Sequence, residues 1–274
     1  MQQFRSKRIL ITGGSAGIGL GLALGLAKRG ATLALIARGK EGLERAAAQI
    51  RELDAEAYIH PCDVTDPEAL GEAIQSLTDA MGGLDGVIAN SGFCQPGRFH
   101  EISKDDMARQ IDTNITGVLY TLHECIPFLL ESPAPFIAVT SSPAGSAGIF
   151  GYSIYGATKA ALNNLLNALR FEYEPCGIAV YTLLPPDTDT PGYAEEIKHY
   201  PPETRAILEG GRLHPTETVV EALIRGMERG KRHITIGMVS HLLFFLVRHC
   251  PKVWEWYSKR SIKKTQKTSA QKII

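Results

Sequence analysis

Arg8-Ile9-Leu10-Ile11-Thr12-Gly13-Gly14-Ser15-Ala16-Gly17-Ile18-Gly19 is an apolar run of strand length that ends in a glycine-rich turn and opens an amphipathic segment, Gly17 to Arg29. Glycines in such a turn allow tight bending and close backbone approach to a pyrophosphate, and the helix that follows adds free N–H groups and the positive end of its dipole. The reading places Gly13, Ser15, Gly17, Ile18 and Gly19 as candidate contacts for a dinucleotide. The spacing Gly-x-x-x-Gly-x-Gly differs from the commoner Gly-x-Gly-x-x-Gly. A glycine-rich turn alone is a weak signal, and its position between strand and helix supplies the weight.

Outward from that turn, strand-length apolar runs keep alternating with helix-length segments: Thr32 to Ala37, Gly39 to Leu53, Ala57 to Pro61. Further apolar runs follow at Leu84 to Ala89, Phe136 to Thr140, Ile178 to Leu184 and His233 to Ile236. Repeated βα punctuation implies parallel strands with right-handed helical crossovers. Near-continuous hydrophobic runs, such as Val87-Ile88-Ala89 and Phe136-Ile137-Ala138-Val139, are what strands show when helices cover both sheet faces. The expected fold is α/β, a Rossmann-type doubly wound sheet of seven parallel strands with helices on both faces, spanning residues 5–237. Such sheets bind ligands at the carboxyl ends of their strands, where strand order reverses. Chemistry is therefore expected in the loops Gly13–Gly19, Arg38, Asp63, Asn90–Gly92, Ser141–Gly145 and Pro185–Thr190.

At 274 residues and 44% hydrophobic side chains, the chain can bury the core of one α/β domain, and no linker or internal repeat divides it. The formal net charge is zero but unevenly spread: from Arg248 onward eight Lys or Arg face one acid, Glu255, which leaves the preceding residues at −7. With the basic character confined to the tail, a nucleic-acid partner is not expected. The five cysteines are widely spaced with no Cys-x-x-Cys, which favours reduced thiols, and the scattered histidines give no reason to expect a metal. Met1 to Arg8 has no apolar stretch, so neither a secretory signal nor a transit peptide is expected.

The second strand ends Leu35-Ile36-Ala37-Arg38. An Asp or Glu at this place usually takes a free ribose 2′-hydroxyl, whereas an Arg pairs with a 2′-phosphate. Arg38, with Lys40 as helper, thus favours NADP(H) over NAD(H), against the plainer reading of a solvated arginine. Asp63 is a candidate acceptor for the adenine amino group, with helix capping as its competing role, although Thr65 and Asp66 are better placed to cap.

Tyr155-Gly156-Ala157-Thr158-Lys159 sets a phenol beside an ammonium on one helix face. At an effective dielectric of about 20, a positive charge ~4 Å away favours phenolate by about 4 kcal/mol, roughly 3 pKa units, with desolvation opposing. Taken alone, the spacing also fits an ordinary amphipathic helix with a surface lysine. Ser142 lies thirteen residues upstream, and its neighbour Ser141 points the opposite way if the strand alternates.

Together these residues resemble the short-chain dehydrogenase/reductase family. Thr12-Gly13-x-x-x-Gly17-Ile18-Gly19, Asp63, Asn90-Ser91-Gly92, Asn114, Ser142, Tyr155 and Lys159 occur in that family's order and spacing, over roughly residues 5–237. The resemblance implies catalysis by Asn114, Ser142, Tyr155 and Lys159: Tyr155 donates a proton to the oxygen of a ketone that receives hydride, Ser142 holds that oxygen, and Lys159 lowers the Tyr155 pKa and grips the nicotinamide ribose. Asn114 is expected to shape its helix so as to hold a relay water. Asn90 and Gly92 are expected to line the cofactor cleft, as are Thr188 and Thr190, although Pro186 stands where the family carries Gly. A narrower match, Pro185-Pro186-Asp187-Thr188-Asp189-Thr190-Pro191-Gly192 with Glu195-Glu196 and Gly148-Ile149-Phe150-Gly151-Tyr152, is similar to the branch that reduces 3-ketosphinganine with NADPH. The alternatives are a reductase of another hydrophobic carbonyl, steroid or 3-oxoacyl, and a non-catalytic NADP(H)-sensing scaffold. The family commonly forms dimers or tetramers, so a homo-oligomer is expected.

Residues 190–215 are broken by Pro and Gly and carry Tyr193, Ile197, Tyr200, Ile207 and Leu208 as apolar contacts, which suits a lid over a lipid chain. Arg98, Phe99 and the Phe150 region are candidates for the opposite wall. Residues 238–274 begin with an apolar stretch of about half the ~20 residues a bilayer span requires and end in a basic tail with Trp254, Trp256 and Tyr257. Two readings stay open for that segment, peripheral attachment to the cytoplasmic face of a membrane, and packing as a dimer interface or core-capping helix.

Overall fold

The structure, a computed structural model, describes residues 3–208, 211–237, 246–247 and 249–271. Its first half repeats one unit: β1 (Arg8–Thr12), α1 (Gly17–Ala27), β2 (Thr32–Ala37), α2 (Lys40–Arg51), β3 (Ala57–Pro61), α3 (Pro67–Met81) and β4 (Gly86–Ala89). Then come α4 (Lys104–Ile111), α5 (Gly117–Leu129), β5 (Phe136–Thr140), α6 (Ser153–Tyr173) and β6 (Ala179–Leu184). The remainder comprises β7 (Thr188–Asp189), α7 (Pro191–Glu196), α8 (Pro202–Leu208), β8 (His214–Pro215), α9 (Thr216–Glu228), β9 (His233–Thr235) and α10 (Pro251–Gln271).

The main sheet has seven strands, all parallel, in the order β3-β2-β1-β4-β5-β6-β9. This is the doubly wound sheet expected from the hydrophobic runs. Alternation along β1 decides which layer each side chain joins: Ile9 and Ile11 enter the core with Leu22, Leu33, Leu35 and Val219, while Leu10 enters the opposite core with Ala34, Ile36, Val87 and Leu122. Strand order reverses between β1 and β4, so the chain leaves these two central strands in opposite directions and a crevice opens above their carboxyl ends.

Local chemistry sets the boundaries. Helix α3 starts where Asp66 accepts from Ala69 N at 3.1 Å, with Pro67 in the first turn, and stops at Gly82 in the left-handed region, φ 72°. Strand β4 begins two residues later than the apolar run because Asp85 is committed elsewhere. Its carboxylate accepts from Arg8 N (2.9 Å), Arg8 Nε (2.8 Å), Arg8 Nη2 (2.9 Å) and Ser132 Oγ (2.7 Å), tying the starts of β1 and β4 to the turn before β5. Desolvation alone would raise the Asp85 pKa, but the Arg8 and Ser132 bonds prevail and hold it at about 2, below its ordinary 3.8. A depressed folded-state pKa stabilises the protein above the unfolded value and loses that contribution as pH falls toward the folded one. Wild-type unfolding free energy should therefore drop by up to about 2 kcal/mol between pH 5 and pH 2 on this account, and Asp85→Asn should flatten that part of the urea-denaturation profile. An unchanged slope would show that acid sensitivity arises elsewhere.

Two features were not expected from the sequence. Asp112–Thr116 is a π-helical turn joining α4 to α5, and β7 pairs with β8 in a separate parallel ribbon that closes the base of the 190–213 excursion.

Candidate active site

A cleft of about 1230 Å³ lies over the carboxyl ends of the central strands. Gly13, Gly17, Ile18, Asn90, Gly92, Ser142, Tyr155, Lys159, Thr188 and Thr190 all face it, so most of the expected site residues converge. Ser15, Gly19, Arg38, Lys40, Asp63 and Asn114 are not on its lining; Arg38 and Asp63 sit past the ends of β2 and β3, their charged groups 4.0 Å apart. Lys40 pairs with Glu44 at 3.8 Å within its own helix. Asp63 accepts from Thr65 N at 3.0 Å and Thr65 Oγ1 at 2.9 Å, while Asp66 caps α3, so one Asp63 oxygen is committed to its own turn.

The nucleotide loop is closed from behind. Thr12 Oγ1 accepts from Asn90 N (3.0 Å) and Ser91 N (3.2 Å), and Thr140 Oγ1 donates to Asn90 Oδ1 at 2.9 Å, so Asn90 stitches the ends of β1, β4 and β5. A Cβ on Gly19 would lie 2.2 Å from Gly13 O and 2.6 Å from Asn90 Nδ2, which leaves no alternative to glycine. The backbone of Gly13 to Ile18 is thereby held against the crevice, and the cradle fits a dinucleotide pyrophosphate. Thr190 Oγ1 accepts from Tyr193 N at 3.1 Å and caps α7, and Thr188 Oγ1 donates to Pro186 O at 2.6 Å, so both hydroxyls already have partners.

Tyr155 and Lys159 come from the start of α6, and Ser142 from the turn after β5. Thr158, Lys159, Leu162, Leu166 and Leu169 form the buried face of α6, which carries Lys159 against the sheet. Its Nζ donates to Thr140 O at 2.9 Å and lies 5.6 Å from the centre of the Tyr155 ring. Burial lowers the Lys159 pKa to about 8. Ser142 Oγ accepts from Ala144 N at 3.2 Å and faces the cleft with the Tyr155 phenol, whereas Ser141 donates to Asn163 Oδ1 (2.7 Å) and Lys159 O (3.2 Å) and is buried. Strand alternation separates the two serines as expected.

One expectation fails. The Tyr155 phenol is not lowered by Lys159 in the protein alone. Burial raises it well above its ordinary range, Cys94, Glu196 and Asp187 act in the same direction, and only the nearby Ser142 hydroxyl opposes them. Lys159 Nζ is turned to the Thr140 carbonyl, so desolvation is the larger effect.

Asn114 occupies the middle of the π turn and is completely buried. Its Oδ1 accepts from Phe93 N (2.7 Å), and its Nδ2 donates to Phe93 O (2.8 Å) and Thr158 Oγ1 (3.1 Å), so it clamps the loop after β4 to α6. A Cβ on Gly92 would sit 3.5 Å from Asn114 Oδ1 and 3.6 Å from Lys159 Nζ. Asn114 Oδ1 and Lys159 Nζ thus both approach the Gly92 backbone.

The sequence reading missed a second polar cluster. Tyr152, three residues before Tyr155 and with its ring 5.6 Å away, donates to Glu196 Oε1; Tyr200 OH lies 2.6 Å from Tyr152 OH and 3.0 Å from the same carboxylate oxygen. Cys94 adds its thiol. Burial raises the Glu196 pKa despite these bonds. Tyr200, read as an apolar contact, is thus a hydrogen-bonding residue; the four-residue interval Glu196-x-x-x-Tyr200 was the available signal.

The candidate opposite wall is also different. Arg98 pairs with Glu203 at 2.5 Å and lies over the Phe150 ring, and Phe99 is exposed, so neither lines the cleft; of the Phe150 region, Ile149 and Tyr152 line it and Phe150 does not. The outer wall is instead Ile207 and Leu208 of α8 with Val253, Trp254, Trp256 and Tyr257 of α10. Trp254 Nε1 donates to Gly148 O at 3.0 Å and Tyr257 OH to Ile207 O at 3.2 Å, so the C-terminal helix is laid across the mouth. Most of the apolar stretch before it, residues 238–245, lies outside the described residues. Among the described residues no helix is long and apolar enough to cross a membrane, and no three His, Cys, Asp or Glu side chains gather as a metal site requires.

Residues 7–200 match the family described as short chain dehydrogenase. The chain is 31% identical over 240 residues to the 3-dehydrosphinganine reductase of Danio rerio, covering 86% of this chain and 72% of that protein. It is 35% identical over 242 residues to 3-dehydrosphinganine reductase TSC10B of Arabidopsis thaliana, again over 86% and 72%. Among solved structures, a short chain dehydrogenase from Burkholderia cenocepacia in complex with NADP superposes with a TM-score of 0.76 at 26% identity, over 87% of this chain and 99% of that one.

Proposed function

This chain belongs to the short-chain dehydrogenase family, and from that membership we propose that it uses NADPH to reduce the 3-keto group of 3-ketosphinganine (3-dehydrosphinganine) to the alcohol. The observation that carries the reading is the convergence of Ser142, Tyr155 and Lys159 on the nucleotide cleft, next to an apolar outer wall. Gly13 to Ile18 would hold the pyrophosphate, Arg38 the 2′-phosphate, and Asn90, Gly92 and Lys159 the nicotinamide half. Bound NADPH supplies the hydride. Tyr155, kept neutral by burial, donates its proton to the ketone oxygen, and Ser142 hydrogen-bonds that oxygen as charge develops on it. Lys159, with Asn114 close to it across Gly92, would support return of the proton to Tyr155.

NADPH oxidation followed with 3-ketosphinganine and with a steroid ketone, with the sphinganine product identified, tests the assignment. Turnover of the steroid alone would replace the substrate. Arg38→Ala should raise KM for NADPH about 10- to 100-fold, the worth of one charge-assisted contact, with little change for NADH. Equal effects on both cofactors would remove Arg38 from the 2′-phosphate.

Residues 190–215 act as the substrate lid in this reading, and α10 serves the lipid at a membrane surface. Val253, Trp256 and Arg260 share one exposed face of α10, with the Arg260 guanidinium 5.5 Å from the centre of the Trp256 ring. That face suits the interface of an anionic bilayer. Flotation with anionic liposomes should carry the wild type and lose most of a Val253→Ser/Trp256→Ser variant; identical flotation would end the membrane role. Because Val253 and Trp256 also border the outer wall of the cleft, NADPH oxidation with ketone is measured on the same variant.

A further inference from the structure

The cluster around Glu196 has no part in the hydride and proton transfers, yet it is built beside them. Three oxygens, on Tyr152, Tyr200 and Glu196, lie within mutual hydrogen-bonding distance. With Glu196 ionised they hold two hydrogens for three contacts, so the triangle lacks one donor. Glu196 lines the cleft, and among the described residues it forms no ion pair with Lys, Arg or His. Asp187 faces the same cleft. Two carboxylates therefore stand close to a reaction that consumes no cation. A half-buried carboxylate without a cationic partner is costly, and a ligand that brings both a positive charge and several N–H donors removes that cost.

We infer that Glu196, positioned by Tyr152 and Tyr200, is the receptor for a primary ammonium group carried on the carbon next to the substrate's ketone. The site rests on the amino-ketone reading above and adds a specificity determinant to it. With the ketone oxygen at Tyr155 and Ser142, the adjacent carbon lies next to the Tyr155 ring, and the ring beside it, 5.6 Å away, belongs to the tyrosine that grips Glu196. The alkyl chain then leaves toward Ile207, Leu208, Trp254 and Tyr257. A long-chain ketone without the amine would fit the apolar wall but leave Glu196 unanswered, and the pocket rejects it on the same footing as any buried polar group left unpaired.

Two measurements on the full chain test this. In the first, kcat/KM is determined for 3-ketosphinganine and for its 2-deamino analogue. In the second, binding of dodecylamine and of dodecanol to the NADP-saturated protein is followed by tryptophan fluorescence, with Trp254 and Trp256 at the mouth as reporters. Wild type should prefer the amine in both. Glu196→Gln should cut each preference ratio on the order of 10- to 100-fold, and Tyr200→Phe should cut it less, with melting temperatures confirming that both variants fold. Ratios unchanged within about two-fold in Glu196→Gln, or a loss that strikes amine and alcohol alike, would overturn the site. The two readings separate cleanly. Wild type that ignores 3-ketosphinganine but still selects dodecylamine through Glu196 defeats the substrate and keeps the ammonium site; wild type that reduces 3-ketosphinganine with Glu196→Gln retaining the ratio does the reverse.

Discussion

Tyr155→Phe should lower kcat by about 10³-fold or more while the protein still folds and binds NADPH with near wild-type affinity. The substitution removes one oxygen and keeps the ring packed against Tyr152 and Lys159. Positioned proton donors contribute typically 10²- to 10⁴-fold, and here no neighbouring group is ready to replace the phenol. Ser142 can only pass on a proton it must itself recover, and the Tyr152 hydroxyl is committed to Glu196. Stopped-flow measurement of NADPH oxidation under single-turnover conditions isolates the effect on chemistry. Turnover at the wild-type rate would mean that some other group protonates the ketone oxygen, and the assignment of the α6 face would have to be abandoned.

Gly19→Ala should be nearly as damaging by a different route. The added methyl would meet Gly13 O at 2.2 Å and the Gly13 carbonyl carbon at 2.9 Å, and backbone cannot swing aside as a side chain can. Relief requires moving the β1–α1 turn or the Asn90 side chain, and Asn90 is held at both ends of its network by Thr12 and Thr140. Overpacking of this type costs about 1–3 kcal/mol, and here it falls on the cradle itself. NADPH affinity should fall by roughly 10-fold or more, with a lower melting temperature that excess NADPH restores only in part. An equilibrium titration by nicotinamide fluorescence, beside a thermal melt, checks both. Unchanged affinity would place the pyrophosphate away from this turn.

How much of this was legible in the chain depended on how local each determinant was. Buried parallel strands are hydrophobic along their whole length, so Val87-Ile88-Ala89 and Phe136-Ile137-Ala138-Val139 announced themselves, and the loops after them held the site. Strand alternation, a local rule, set Ser141 and Ser142 on opposite sides, as the structure has them, while the choice of Ser142 came from its thirteen-residue interval to Tyr155 in the family resemblance. What failed was set by distant parts of the chain. The Tyr155 pKa depends on a carbonyl of β5 that takes the Lys159 ammonium and on carboxylates brought in by α7 and the loop before β7. Tyr200 changed character because a Pro-interrupted excursion, whose path no periodicity describes, returned its hydroxyl to Tyr152. The aromatic, basic C-terminal segment carried a pattern that suits a lipid surface, a partner or its own domain equally well, and only tertiary packing against α8 decides that it closes the cleft.

That last feature has a bearing on the order in which the protein comes into being. Chains emerge from the ribosome N-terminus first, at about 5–20 residues per second, and domains organise as they appear. The nucleotide cradle draws on the first strands and their turns, whereas the outer wall draws on Trp254 and Tyr257 near the opposite end of the chain. A nascent chain would therefore hold its cofactor-binding half well before it could enclose a hydrophobic substrate.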